Sequence, residues 1–250
     1  RYSDGVQTKL EVSTPEQPQT LAVSGVTETS QTQGLRAPSP LNTKAANQVE
    51  ISVAPTALLQ TKEAVSYLLK YPYNCLEQQM SKLLPAVGAA QLITDFKWAS
   101  EQQLRTTAQT ILETLPTYQH LSGGYGYWPA GRPDVYVTSY ALEVAWLAKQ
   151  AGYKVPTASI EKAINWLQGA FAEQTVRAYP YTLQETDTAR AYSAYVLARY
   201  GKNVDSLFNT LYAKRTGLSQ EAIAYLLEEA YLSKRSQSIQ QTLAQQLRNK

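Results

Sequence analysis

One cysteine, one histidine and one methionine stand among 250 residues, with only three phenylalanines against eighteen tyrosines. A single cysteine rules out an internal disulfide, whatever the compartment. No basic block or stripe occurs. The 23 Lys and Arg and the 20 Asp and Glu are spread along the chain for a net charge of +3, so nucleic acid is not an expected partner. No window is long and apolar enough to span a bilayer, and no membrane contact is expected of this piece. The chain opens on Arg1 with no basic n-region and apolar run behind it, which reads as a piece excised from something longer. No metal site and no cofactor are expected. What is present is a globular balance, 44% hydrophobic and 17% charged, which excludes wholesale disorder.

Two regions differ in texture. Residues 1–55 are rich in Thr, Ser, Gln and Pro and poor in large apolar side chains. Three short stretches in them read as strands: Thr8–Ser13, Thr20–Val26 and Gln48–Val53, the last with a clear apolar/polar alternation. A long loop separates the last two. This region has too little core to fold alone and reads as part of a β-domain whose other strands lie elsewhere. Residues 56–250 turn to a helical period. The predicted helices are Thr61–Lys70, Cys75–Thr94, Glu101–Leu115, Val135–Ala151, Thr157–Ala172, Thr186–Tyr200, Val204–Tyr212, Ser219–Ser233 and Ser236–Arg248.

Gly152 and Gly201 follow apolar-periodic runs, as glycines just past a helix end do. Thr157 and Ser219 stand at predicted helix starts with capping chemistry. The stretch SYALEVAWLAKQAG (Ser139–Gly152) resembles AYSAYVLARYG (Ala191–Gly201), and each is followed by a second helix. Helical pairs recurring at this spacing predict a mostly α fold, a solenoid or an α/α toroid. Ala141, Ala145 and Ala148, and Ala191, Ala194 and Ala198, permit close packing between helices.

The lone cysteine lies in YPYNCLEQQM, Tyr71–Met80. Three residues after Cys75 comes Gln78. At the first turn of a helix a thiol and an amide at that spacing can meet. Attack of the sulfur on the amide carbonyl, with loss of ammonia, gives an internal thioester. The fold must press the groups together and exclude water, and a helix N-terminus favours the thiolate. Such a bond is a stored acyl group on a good leaving thiolate. The plainer alternative is a lone cysteine acting as a small buried hydrophobe, and C-L-E-Q alone favours that alternative, since buried structural cysteines are common.

Two longer blocks bear on the choice. YPYNCLEQQMSKLLP resembles the thioester motif of the alpha-2-macroglobulin and complement family, roughly P-Y-G-C-x-E-Q, and the leucine after the cysteine resembles the bacterial branch. GGYGYWPAGRPDVYVTSYALEVAWLAKQAGY (Gly123–Tyr153) resembles the glycine- and aromatic-rich segment and following helix of the same domain. The lead-in VEISVAPTALLQTKEAVSYLLKYP is similar to the family's strand-to-helix entry, so the likeness runs from about Gln48 to Gly201.

The resemblance implies a thioester-carrying α/α toroid over residues 56–250, possibly incomplete here, inserted in a CUB-like β-domain to which residues 1–55 belong. It makes Cys75 and Gln78 the cross-link and Glu77 the motif's acid, with Pro72, Tyr73 and Asn74 as the approach. Asn74 replaces the family's glycine. Asparagine tolerates left-handed φ best among the other residues, so a left-handed turn is expected there. The implied function is a broad-range protease trap in the periplasm or cell envelope, with a parent anchored as a lipoprotein. It would capture proteases covalently through their lysines, shielded by other domains of the parent, and would be consumed rather than turned over. His120 reads as a surface-loop histidine rather than the acyl-accepting histidine of complement-like members.

Tyr125, Tyr127 and Trp128 either shield the thioester or fill the end of the toroid. An interaction scaffold with an inactive thioester is the second reading. A toroid enzyme is the third. Against a cyclase, QETDTA (Gln184–Ala189) keeps only Asp187, Thr188 and Ala189 of an acidic D-x-D-D-T-A motif, and Asp187 reads as a helix cap. Against a glycosidase, no spacing pairs Glu77, Asp134, Glu143 and Asp187 across one cleft.

Overall fold

The structure is a computed structural model describing residues 5–10, 12, 19–34, 36, 39, 48–51, 53, 59–172 and 183–249. The chain divides into two units, Arg1–Val53 and Ala54–Lys250. Among the described residues of the first unit no strand forms. Thr20–Val26 is described throughout and has no ladder partner, while Glu11, Ser13 and Ser52 of the other two stretches lie outside the described residues. Val6, Val12, Val26 and Ile51 are almost fully exposed. An alternating pattern becomes a strand only when a neighbour takes its N–H and C=O groups and covers its apolar face, and neither is supplied among the described residues.

The second unit is helical. Its elements are α1 (Leu59–Lys70), α2 (Leu76–Gly88), α3 (Ala90–Asp95), α4 (Glu101–Thr114), α5 (Val135–Gln150), α6 (Thr157–Ala172), α7 (Leu183–Arg199), α8 (Asp205–Ala213), α9 (Gln220–Leu232) and α10 (Gln237–Arg248). A single helix over Cys75–Thr94 does not form. It breaks at Ala89, with φ −136° and ψ 18°. Pro85 inside α2 leaves the Ser81 carbonyl without its amide donor, and Gly88 follows, so the last turn of α2 is weak.

Helices α2, α5, α7 and α9 lie side by side in succession, and α4, α6, α8 and α10 each back one of them. This is the two-layer arrangement of an α/α toroid. The internal repeat marks two of the inner helices, α5 and α7. Both end at glycines in the left-handed region, Gly152 (φ 84°) and Gly201 (φ 69°). Ala141, Ala145, Ala148, Ala191 and Ala194 are fully buried, and the backbones come close enough for the Ser139 and Ser193 hydroxyls to meet at 2.8 Å.

Two capping expectations change. Ser219 does cap α9, its Oγ accepting from the Ala222 amide at 3.1 Å. Thr157 instead lies inside α6, where the Pro156 carbonyl accepts the Ile160 amide. Asp187 falls past the first turn of α7, because the helix starts at Leu183, and its carboxylate pairs with Lys214 at 2.6 Å.

The tyrosine excess has a place. Tyr136 and Tyr140 on α5, Tyr192 and Tyr195 on α7 and Tyr225 on α9 form a continuous ring lattice, with centroids from 4.6 to 6.3 Å apart. Glu143 on α5 accepts from the Tyr192 and Tyr195 hydroxyls, and Arg199 donates to the Tyr195 oxygen at 2.7 Å. Phenylalanine would fill the same space but supply no such bonds. Farther along, Glu229 is wholly buried and accepts two bonds of 2.7 Å from Arg235. The Arg235 guanidinium lies 3.7 Å from the Phe208 ring centre, which ties α8 to α9.

Arg235→Met should cost about 3–5 kcal/mol, because it leaves the Glu229 charge buried and unpaired. Denaturant unfolding checks this. The lattice also sets an alkaline limit. Burial, then the Glu143 charge, pushes Tyr195 up to about 12, burial alone does the same for Tyr125, and Tyr192, Tyr200 and Tyr225 are raised further. Unfolded tyrosines ionise near 10. Stability is therefore intact below pH 10 and falls as pH climbs toward 12, since only the unfolded chain sheds these protons. An unfolding midpoint that stays level across that window would contradict the assignment.

Candidate functional site

Cys75 is the N-cap of inner helix α2, in extended conformation with φ −66° and ψ 155°. It is a free, buried cysteine. A serine or aspartate in this position would accept from the first-turn amides, but the Cys75 side chain makes no such bond. Its sulfur thus sits at the positive end of the helix. The Leu76 amide donates to the Tyr127 carbonyl at 2.8 Å, and the Gln79 amide donates to the Cys75 carbonyl at 3.0 Å.

Gln78 lies in the same first turn, on the face that position i+3 shares with Cys75. Its side-chain oxygen Oε1 is buried and has no hydrogen-bond partner. A buried carbonyl left unpaired costs about 1–3 kcal/mol, and such groups call for an explanation. The atom it is attached to is the carbon a thiol would attack.

Asn74 is not left-handed. Among the described residues positive φ occurs at Lys97, Ala130, Lys234 and three glycines. Two hydrogen bonds hold Asn74 in ordinary backbone geometry instead. Its carbonyl accepts from the Tyr118 hydroxyl at 2.6 Å, and its side-chain oxygen accepts from Gln79 Nε2 at 2.8 Å. The approach therefore has no need of a glycine. Tyr73 is 61% exposed, with its ring edge-on to Tyr71, which in turn meets Tyr67. Glu77 is half-buried and faces α5. Burial raises the Tyr140 hydroxyl, the Ser81 hydrogen bond partly offsets this, and the Glu77 and Glu143 charges add to the rise. Ser81 also donates to the Glu77 carbonyl.

The aromatic block is a loop folded against the start of α2. Tyr125 is fully buried, its hydroxyl 2.7 Å from Ser159 Oγ on α6 and its amide donating to Thr138 Oγ1 on α5. Its ring belongs to the core between layers. Tyr127 supplies the carbonyl at Leu76, and Trp128 is 56% exposed. Two glycines let the loop pack against α6 and fold on itself. A Cβ on Gly124 would meet the Trp166 ring at 2.4 Å, and one on Gly126 would meet the Arg132 carbonyl at 2.8 Å.

His120 is held by its own turn. Nδ1 accepts from the Ser122 amide at 3.1 Å, and the His120 amide donates to the Gly124 carbonyl. With Pro116, Gln119, Lys162 and Trp166 it borders a shallow cleft of about 540 Å³. The carboxylates weighed for enzyme chemistry are spread among separate tasks. Asp134 caps α5 through the Val137 amide, Glu143 serves the tyrosine lattice and Asp187 pairs with Lys214. Sequence reasoning passed over Tyr118, which lies 44 residues from Asn74. No local pattern marks a contact over that separation.

Residues 48–247 match the family model described as the A-macroglobulin TED domain. The alpha-2-macroglobulin of Thermotoga maritima is 31% identical over 142 residues, 57% of this chain and 8% of that protein. The crystal structure of native Escherichia coli alpha-2-macroglobulin from domain MG7 to the C-terminus aligns with TM-score 0.66 and 25% identity, covering 74% of this chain and 30% of that one. Salmonella alpha-2-macroglobulin reacted with methylamine aligns with TM-score 0.67 and 25% identity, covering 75% and 13%. Fold and site thus define the thioester-domain class of α/α toroid. The chain belongs to the bacterial alpha-2-macroglobulin family, and it spans under a tenth of the length of the curated relatives it matches first.

Gly126→Ala should destabilise the domain by about 1–3 kcal/mol, as overpacking does, since a Cβ there meets the loop's own Gly131–Arg132 backbone and that part of the loop must shift. Chemical denaturation measures it. An unchanged midpoint would mean the loop has slack the geometry does not show.

Proposed function

We propose that Cys75 and Gln78 form an internal thioester and that the parent protein uses it to trap proteases. The observation that carries this is the buried, unpartnered Gln78 carbonyl one helical turn from the N-cap sulfur. The Cys75 sulfur attacks Gln78 Cδ, the C–S bond forms, the C–N bond breaks, and Nε2 leaves as ammonia with the thiol proton. An amine then attacks the same carbon. The new amide joins Gln78 to the attacker, and Cys75 is released as a thiol. A lysine of a bound protease is the natural attacker, because the site offers no histidine to turn the acyl group toward hydroxyls.

Each molecule reacts once, so the protein is a trap and not an enzyme. Tyr127, with its main chain fixed at Leu76 and Trp128 beside it, is placed to keep water from the bond, and Tyr73 and Glu77 border it. Other domains of the parent complete the cover. Residues 1–55 belong to the CUB-like β-domain into whose sequence the toroid is inserted, and the parent works in the periplasm or cell envelope, where foreign proteases arrive. Relatives named alpha-2-macroglobulin, one of them solved after reaction with methylamine, support this reading.

Intact mass tests it. The full-length protein should be lighter than its sequence by one ammonia and should gain one methylamine on treatment. Cys75→Ala and Gln78→Ala should each abolish both the mass change and covalent protease capture. Capture that survives in either variant would remove the thioester from the account.

A further inference from the structure

Cys75 is gripped from both sides by groups far away in the chain. On one side the Tyr118 hydroxyl donates to the Asn74 carbonyl at 2.6 Å. On the other the Leu76 amide donates to the Tyr127 carbonyl at 2.8 Å. The Gly126 amide closes the circuit by donating to the Tyr118 carbonyl at 3.0 Å. The two peptide planes that flank Cys75 are therefore locked to each other through residues 118–127. These planes set the φ and ψ of Cys75, and with them the direction of the Cα–Cβ bond that carries its sulfur.

We propose that Tyr118 is a positioning residue for the Cys75–Gln78 reaction, its hydroxyl holding the peptide before Cys75 so that the sulfur stays over the first turn of α2. This rests on the thioester reading above. The tyrosine suits the task because it is buried, 7% exposed, in the core at the end of the turn that joins α4 to the loop, which leaves the hydroxyl little freedom to point elsewhere. Its titration agrees with the placement. Burial raises the Tyr118 hydroxyl first, and a negative charge on Cys75 raises it further, so the hydroxyl lies within electrostatic reach of the sulfur. Phenylalanine would keep the ring and lose only the bond.

The experiment compares wild type, Tyr118→Phe and a control, Tyr153→Phe, in the full-length protein. Tyr153 also donates to an α2 carbonyl, that of Ala86, but at the other end of the helix. Three quantities are read: the fraction of chains lighter by one ammonia, amide hydrogen exchange over residues 74–79, and the melting temperature. Tyr118→Phe should lower the thioester fraction by roughly two- to tenfold, the range of one neutral hydrogen bond, and speed exchange at 74–79. Tyr153→Phe should do neither. A thioester fraction that stays at the wild-type level in Tyr118→Phe, or falls equally in both variants, overturns the proposal. If wild type never loses ammonia, the thioester reading fails by itself. Exchange then decides the latch: faster exchange in Tyr118→Phe sustains it, and unchanged exchange overturns it.

Discussion

The first turn of α2 has main-chain amides that its own helix cannot satisfy, and the site depends on how they are met. One goes to the Tyr127 carbonyl. That bond ties the glycine-rich loop to the helix start, while Gly124 lets the loop pass the Trp166 ring of α6 and Gly126 lets it fold against its own Arg132 carbonyl. It also leaves the N-cap position to a cysteine that caps nothing. A serine there would be the better cap and would offer no thiol. The helix start accepts a poorer cap from its own side chain, and a neighbouring loop makes up part of the loss.

The two layers serve this arrangement. α2 is an inner helix, flanked by α5 and backed by α4, so its start is held by the elements from which the loop departs and to which it returns. Tyr118 ends the 3-10 turn Leu115–Tyr118 that follows α4, Asp134 opens α5, and the residues between them are the loop. Alanines let α5 and α7 approach closely, and the tyrosine lattice around Glu143 fills the seam with groups that both pack and bond. The surface near Cys75 remains aromatic and partly open at Tyr73 and Trp128.

Much of the helical unit was legible because its signals are local. The 3.6-residue period, the glycines at 152 and 201 and the repeat that turned out to mark α5 and α7 all act within a turn or two. The Cys75–Gln78 spacing is local too. What escaped the sequence depends on distance. The Tyr118–Asn74 bond spans 44 residues, and with it went the expectation of a left-handed Asn74, an inference from one residue type that a remote hydroxyl makes unnecessary. Tyr125 and Tyr127 look alike in GGYGYWP, yet one ring enters the core while the other residue's carbonyl meets a helix start. Asp187 suits a cap only for a helix that begins at Thr186, and α7 begins three residues earlier, at Leu183. Thr20–Val26, the one expected strand described throughout, does not form for a related reason: a strand-like sequence also requires a neighbour.

The circuit through Asn74, Leu76, Tyr118 and Tyr127 has a consequence in time. A ribosome delivers Cys75 and Gln78 long before it delivers residues 118–127. Until that loop exists and α5 has returned to hold it, nothing fixes the peptides beside the cysteine, and the nascent chain carries an ordinary thiol and an ordinary amide. Closing such a long-range contact is a late event in folding. On the proposed reading, a bond between the two side chains would wait for that contact and would not arise on an unfinished chain. Maturity of the fold would then serve as the safety catch of the chemistry.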